Sequence, residues 1–258
     1  MVRTVAATRY VMPFREGGSV PGLVEGDDDG LYVVKWRGAG QGVKALISEL
    51  IVGELGRALG LPVPEIVLVD LDPRLGAAEP DPEIHQLLEG SGGLNVGLDF
   101  LPGALTWNVA ADAPLAPSLA AEIVWFDGLV TNPDRTPQNP NILAWHGRPW
   151  LIDHGAALYV QHTWRDPDGH ARQPFPRLRD HVLAAQAGSL ADADARLAPM
   201  VSTELVDAIV GVVPDEWLLE DARFDDAAAA RAAYVRYLGR RIDPPRPFLR
   251  DLETGRAA

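Results

Sequence analysis

The run Asn132-Pro133-Asp134-Arg135-Thr136-Pro137-Gln138-Asn139-Pro140-Asn141-Ile142-Leu143, followed closely by Trp150-Leu151-Ile152-Asp153-His154-Gly155, constrains this chain more than any other stretch. Apolar periodicity over residues 118–130 predicts a helix leading into it. Ile142-Leu143-Ala144-Trp145 and Pro149-Trp150-Leu151-Ile152 flank His146-Gly147-Arg148, which predicts a short hairpin. A fold for this chain must therefore carry Asp134 and Asn139 on a tight loop after a helix. It must also carry Asp153 at the far end of a hairpin that leaves the same loop.

Upstream, the first third reads as strands around one helix. Residues 4–12 and 31–36 are rich in Val and aromatic side chains, and a Gly- and Asp-rich stretch over 17–30 separates them. Leu46, Ile47, Leu50, Ile51, Leu55, Ala58 and Leu59 form a helical stripe over 43–59 that stops at Gly60 and Pro62. Residues 65–71 and 94–101 predict further strands, with 72–93 as a connecting loop. Pro102-Gly103 is the best boundary, dividing residues 1–101 from a mainly helical 102–258. Helices are expected over 118–130, near 177–186, and around 204–212 and 225–238. The fold class is thus α+β, strand-rich with one main helix first and mainly helical afterwards.

With 258 residues, 47% of them hydrophobic, the chain can bury a substantial core. The absence of cysteine excludes disulfides, thiolate zinc sites and cysteine nucleophiles, and fits a reducing, cytoplasmic setting. Residues 1–10 lack the apolar core of a signal peptide, and no run of about 18 apolar residues occurs, so no membrane span is expected. A net charge of −13 disfavours general nucleic-acid binding but not a nucleotide pocket, which needs only one or two cations and a metal.

The polar residues of the opening segment suit phosphoryl transfer. That chemistry needs a hydroxyl placed in line with a phosphate and neutralisation of the charge that develops. Asp134 can orient the hydroxyl, while an Asn and Asp153 can hold Mg2+ against nucleotide phosphates. Asn139 has the five-residue spacing from Asp134 that such loops use, whereas Asn141 lies seven residues on and directly precedes Ile142-Leu143. Each also has a plainer reading: a helix-capping turn for Asp134, turn closure for either Asn, and a common loop tripeptide for Asp153-His154-Gly155. Lys35 is the one charge in Leu31-Tyr32-Val33-Val34-Lys35-Trp36 and can contact phosphates. Glu49 on the following helix is its expected ion-pair partner, with Glu54 in reserve. Residues 15–22, Arg-Glu-Gly-Gly-Ser-Val-Pro-Gly, could close over the phosphates through backbone N–H groups.

Phe126-Asp127-Gly128-Leu129-Val130-Thr131-Asn132-Pro133-Asp134-Arg135 resembles the helix and Asn-x-Asp-Arg loop of the HipA-like kinases. Ser48-Glu49-Leu50, with Leu59-Gly60-Leu61-Pro62-Val63-Pro64, is similar to that family's regulatory helix and next strand. The likeness spans about residues 31–155. It implies a divergent two-lobed kinase-like fold, with a kinase N-lobe over 1–101, a C-lobe over 102–258, and ATP and Mg2+ between them. It further implies Asp134 as catalytic base or hydroxyl-orienting group, with Arg135 in the catalytic loop, and Lys35 as the phosphate-binding lysine. Asn139, with Asn141 as the alternative, and Asp153 would be metal ligands, and adenine would meet the backbone of Asp99, Phe100 and Leu101. The implied acceptor is a protein Ser or Thr hydroxyl, with a small-molecule alcohol as the alternative. Thr136 stands where many relatives have His.

Other chemistries fit less well. Gly38-Ala39-Gly40-Gln41-Gly42 falls one position short of a dinucleotide fingerprint, and Val43 breaks a Walker A match to Lys44. No G-x-S-x-G elbow or H-E-x-x-H helix is present, and His162 and His170 match no ligand spacing. The rival from another class is a non-catalytic ATP-binding module acting through a partner.

Overall fold

In this computed structural model, residues 2–14, 20–108 and 114–249 are described. Five strands close into a barrel in the order β1 (Thr4–Pro13), β2 (Gly22–Gly26), β3 (Leu31–Lys35), β5 (Gly93–Asp99), β4 (Ile66–Leu71). β1 and β4 close it in parallel; the other neighbours run antiparallel. Alternation sorts the side chains, as a period of two must. Val24, Tyr32, Val34, Val67 and Val69 fill one core inside the barrel, while Ile66, Leu68, Val96 and Leu98 join a second, larger core.

The 17-residue helix α1 (Gly42–Ala58) belongs to that larger core, where Leu46, Leu50, Ile51 and Leu55 are almost wholly buried. It matches the expected helix within one residue at each end. Two segments expected to lack regular structure in fact contain it. β2 lies within residues 17–30, where the absence of a side chain at Gly22 admits the Trp36 ring, which a Cβ would approach to 2.5 Å. Helix α2 (Pro82–Glu89) lies in the expected 72–93 loop. Asp81 caps it through Glu83 N–H, Pro82 occupies its first turn, and Ile84 and Leu88 are buried in the barrel core.

After the barrel, β6 (Leu105–Thr106), β7 (Ile142–Trp145) and β8 (Arg148–Leu151) form a three-stranded sheet that contains the expected hairpin. Helix α3 (Pro117–Leu129) is buried from Ile123 to its end, and its last turn delivers the chain to Asn132. Helices α4 (Pro167–Ala171), α5 (Leu190–Leu197), α6 (Thr203–Val210), α7 (Asp215–Leu218) and α8 (Ala227–Ile242) complete the larger core.

The helix expected near 177–186 does not form. Only a 3-10 turn, Pro176–Asp180, is present, and His181 is extended with ψ 132°. Val182 N–H instead donates to the Arg135 carbonyl at 3.0 Å, a tertiary bond replacing a helical one.

Candidate active site

Lys35 is placed by the alternation of β3. Tyr32, Val34 and Trp36 point into the barrel core, so Lys35 emerges on the other face with 12% of its side chain exposed. Its Nζ lies 2.7 Å from Glu49 Oε2 and 2.5 Å from Asp153 Oδ1. Glu49 is fully buried on α1, and the same Oε2 accepts His154 N–H at 2.7 Å. One carboxylate thereby ties together β3, α1 and the chain beyond the hairpin. Glu54, the reserve partner, pairs with Arg57 instead at 3.1 Å.

The electrostatics follow from this geometry. Burial alone would lower the Lys35 pKa, but Glu49 and Asp153 outweigh it and hold the ammonium charged above its ordinary range. Burial works against the Asp153 carboxylate too, yet the adjacent Lys35 brings its pKa below the usual value. Glu49 moves the other way: burial dominates and pushes it up, and its Oε1 has no hydrogen-bond partner.

Beyond α3, the loop is set by side chain to backbone bonds. Asn132 Oδ1 accepts Asp134 N–H at 3.1 Å, and Thr136 and Asn139 exchange backbone bonds at 3.0 and 3.1 Å. Asp134 Oδ2 accepts from Asn139 Nδ2 at 2.8 Å and Asn141 Nδ2 at 3.2 Å. The hairpin register pairs Ile142 with Leu151, so Asn141 and Asp153 leave its open end side by side. Ile152 N–H closes that end on the Asn141 carbonyl at 3.1 Å. Both residues hold positive φ, 49° for Asn141 and 57° for Asp153, a conformation that Asn and Asp tolerate better than most.

A cleft of about 370 Å³ lies between the barrel and the hairpin sheet; Glu49 and Asp134 are not in its lining, and Asp134 is joined to it through Asn139 and Asn141. Lys35, Asn139, Asn141 and Asp153 line it, as do Asp99, Phe100 and Leu101 from the end of β5. Phe100 N–H is bonded to the Leu31 carbonyl and Asp99 N–H to that of Glu65, whereas Leu101 N–H has no acceptor among the described residues. Phe14 and Pro21 line the opposite wall, joined by a 2.7 Å backbone bond. Residues 15–19 of the expected phosphate-covering loop lie outside the described residues.

The donors at the cleft are oxygen atoms of carboxylates and amides, the set that suits a hard divalent cation. Among the described residues no three His, Cys, Asp or Glu side chains gather as a metal cage. His170 Nδ1 instead bonds the Tyr237 hydroxyl at 3.0 Å. Gly42 and its neighbours border a separate, smaller cavity rather than the cleft.

Arg135 does not reach the cleft. It is 1% exposed and turned inward, with Nε 2.6 Å from Asp127 Oδ2 and Nη1 bonded to the Asn141 carbonyl. Its expected place among the reacting groups is corrected accordingly: it acts on the loop from behind. Asp127 also accepts from His181 Nε2 at 2.8 Å and Asn132 Nδ2 at 3.1 Å. Sequence reasoning passed over both Asp127 and His181. A lone Asp in the apolar run Val124-Trp125-Phe126-Asp127-Gly128-Leu129 was a usable signal, since a buried charge needs a partner.

Comparison with known proteins bears on the whole chain. A family model for the HipA-like kinases matches residues 8–245. The chain belongs to the HipA-like kinase family. A search of curated proteins gives no match. Among solved structures, the Helicobacter pylori proinflammatory kinase CtkA is similar with a TM-score of 0.58 and 13% identity, covering 98% of this chain and 99% of that one. The Golgi casein kinase is similar in a Mn/ADP-bound structure, with a TM-score of 0.53, 13% identity, and 99% and 75% of the two chains covered. At such identities the likeness is one of fold, and the fold is kinase-like and α+β. As a HipA-like kinase, the protein is a phosphotransferase.

Proposed function

We propose that the protein transfers the terminal phosphate of ATP to a hydroxyl, in a Mg2+-dependent reaction within the barrel–hairpin cleft. The observation that carries this reading is the double pairing of Lys35 with Glu49 and Asp153, beside an Asp134 carboxylate held by Asn139 and Asn141. Residues 1–101 then act as the N-lobe and 102–258 as the C-lobe. The Mn/ADP-bound neighbour supports nucleotide and divalent-metal use in this fold.

Each residue takes a task that its surroundings suit. Lys35, kept protonated by two carboxylates, contacts the phosphates, and Glu49 fixes its direction. Asp153 and Asn141 would hold the cation, with the more exposed Asn139 beside them, and the chemistry a cation supplies there is neutralisation of charge on the phosphate oxygens. Asn141 is favoured as the fixed ligand because its carbonyl is tied to both Arg135 and Ile152 N–H. Asp134 accepts the hydroxyl hydrogen and aims the oxygen at the phosphorus. The adenine edge meets the free N–H of Leu101.

The favoured acceptor is a protein Ser or Thr, with a small-molecule alcohol as the alternative. Among the described residues no helix is long and apolar enough to cross a membrane, and the lack of cysteine suits a reducing cytoplasm. The net charge of −13 makes nucleic acid an unsuitable partner.

Binding tests the metal assignment apart from chemistry. Mg-ATP should raise the melting temperature, because a ligand of the folded state alone stabilises it by mass action. Asp153→Asn should reduce that shift. An undiminished shift would remove Asp153 from the metal site.

A further inference from the structure

The buried charges behind the loop form a chain of contacts that ends on the two candidate metal-binding segments. Asp127, on the last turn of α3, and Arg135 have fully buried side chains, and His181 is nearly so. Asp127 Oδ2 receives both Arg135 Nε at 2.6 Å and His181 Nε2 at 2.8 Å. Its Oδ1 receives Asn132 Nδ2, so both carboxylate oxygens are engaged.

The tautomer of His181 follows from its second nitrogen. Leu183 N–H donates to Nδ1 at 3.0 Å, so Nδ1 carries no proton. The ring hydrogen is therefore on Nε2, and His181 is a donor to Asp127. Arg135 spends its remaining hydrogens forward: Nη1 on the carbonyls of Asn141 and, at 3.4 Å, Ile152, and Nη2 on His154 Nδ1 at 3.3 Å. Those residues are Asn141 itself and the two neighbours of Asp153. The planar guanidinium thus spans the segments that carry both candidate ligands, and its own orientation depends on Asp127.

We propose that His181 is a positioning residue for phosphoryl transfer: by donating to Asp127 it fixes the carboxylate that aims Arg135, and Arg135 sets Asn141 against Asp153. The proposal rests on the phosphotransfer reading given above. His181 does not line the cleft. It comes from the segment that replaces the expected 177–186 helix, and the neighbouring Val182 N–H bond to the Arg135 carbonyl joins the same two stretches a second time. The irregular backbone there is what carries the imidazole to Asp127.

Two substitutions separate the hydrogen bond from the space the ring fills. His181→Asn retains an acceptor near Nδ1 for Leu183 N–H but has no donor that reaches Asp127. His181→Gln places an amide donor near the Nε2 position. With the full-length chain, labelled ATP, Mg2+ and an acceptor phosphorylated by the wild type, His181→Asn should lower kcat by about 10²-fold, the scale expected when reacting groups shift by about 1 Å. Its KM for ATP should stay near wild type, its Mg2+ requirement should rise, and His181→Gln should restore most of kcat.

Wild-type kcat and Mg2+ dependence in a folded His181→Asn would overturn the assignment while leaving the phosphotransfer reading intact. Equal losses in Asn and Gln variants would also overturn it, because packing alone would then explain them. If His181→Asn does not fold, His181→Leu takes its place; failure of both to fold would assign His181 to stability and overturn a positioning role. A wild type that binds Mg-ATP but transfers nothing would overturn the phosphotransfer reading and this proposal with it.

Discussion

Two clusters of carboxylate and cation flank the segment from Asn139 to Asp153, and they differ chiefly in their access to water. In the first, Lys35 pairs with a fully buried Glu49 on one side and on the other with Asp153, whose side chain is 41% exposed, so the cluster opens at its Asp153 end. In the second, Arg135 pairs with Asp127 and neither side chain has any exposure. Charges that open onto a cleft can exchange partners with phosphate and cation at little cost. Charges sealed away cannot, because each would be left uncompensated in a medium of low dielectric. The open cluster is thus suited to chemistry and the sealed one to holding that chemistry in register.

The sharpest way to break the contrast is to remove one sealed charge. Asp127→Ala should destabilise the fold by about 3–5 kcal/mol, measured by urea unfolding, because Arg135 loses its buried counter-ion. A loss within about 0.5 kcal/mol, the ordinary range for a surface change, would deny the sealed cluster its structural part. Lys35→Met, on the open side, should instead lower phosphotransfer by about 10²–10³-fold, the scale for removing one electrostatic donor. Its melting temperature should fall less than that of Asp127→Ala, since Glu49, whose pKa burial already raises, can take up a proton.

Acid should act on the sealed side. Burial disfavours the Asp127 carboxylate, but Arg135 and His181 prevail and hold its pKa well below the carboxylate range. The unfolded chain protonates this group near its reference value of about 3.9. The stabilisation from Asp127 is therefore complete above that value and is lost progressively as pH falls below it. Stability measured from pH 6 down to 3 should fall less steeply in Asp127→Asn, which is already weakened at neutral pH. Equal slopes would contradict the pairing. The smallest expected effect is at Glu54: Glu54→Gln should leave transfer unchanged, since its partner is Arg57 and not Lys35.

The open cluster was largely legible in the sequence, and the sealed one was not. Lys35 stands out as a charge at an alternating strand position, Glu49 as a carboxylate within a largely apolar helix, and Asp134 and Asp153 by loop and hairpin spacing. All four are local patterns. The bond from Asp127 to His181 joins positions 54 apart through a segment with no regular structure, and no period or motif links them. Asp81-Pro82 was a sign for α2 in a stretch whose composition suggested a loop, whereas nothing local forbids a helix over 177–186, which gives way to the tertiary bond from Val182 N–H to the Arg135 carbonyl. Gly22 shows the same limit, because its need for a bare backbone becomes visible only with the Trp36 ring in place.

Transfer of label from ATP is the most direct test of the central claim. Wild-type protein with Mg2+ and γ-labelled ATP should pass phosphate to itself, to a protein in a cell lysate or to a small alcohol, read by mass spectrometry. Asp134→Ala should lose about 10³-fold of that rate, within the range for a positioned acid–base group, while keeping its melting temperature. Undiminished transfer by Asp134→Ala would contradict the assignment of Asp134, and a wild type that binds Mg-ATP but transfers nothing would contradict the account as a whole.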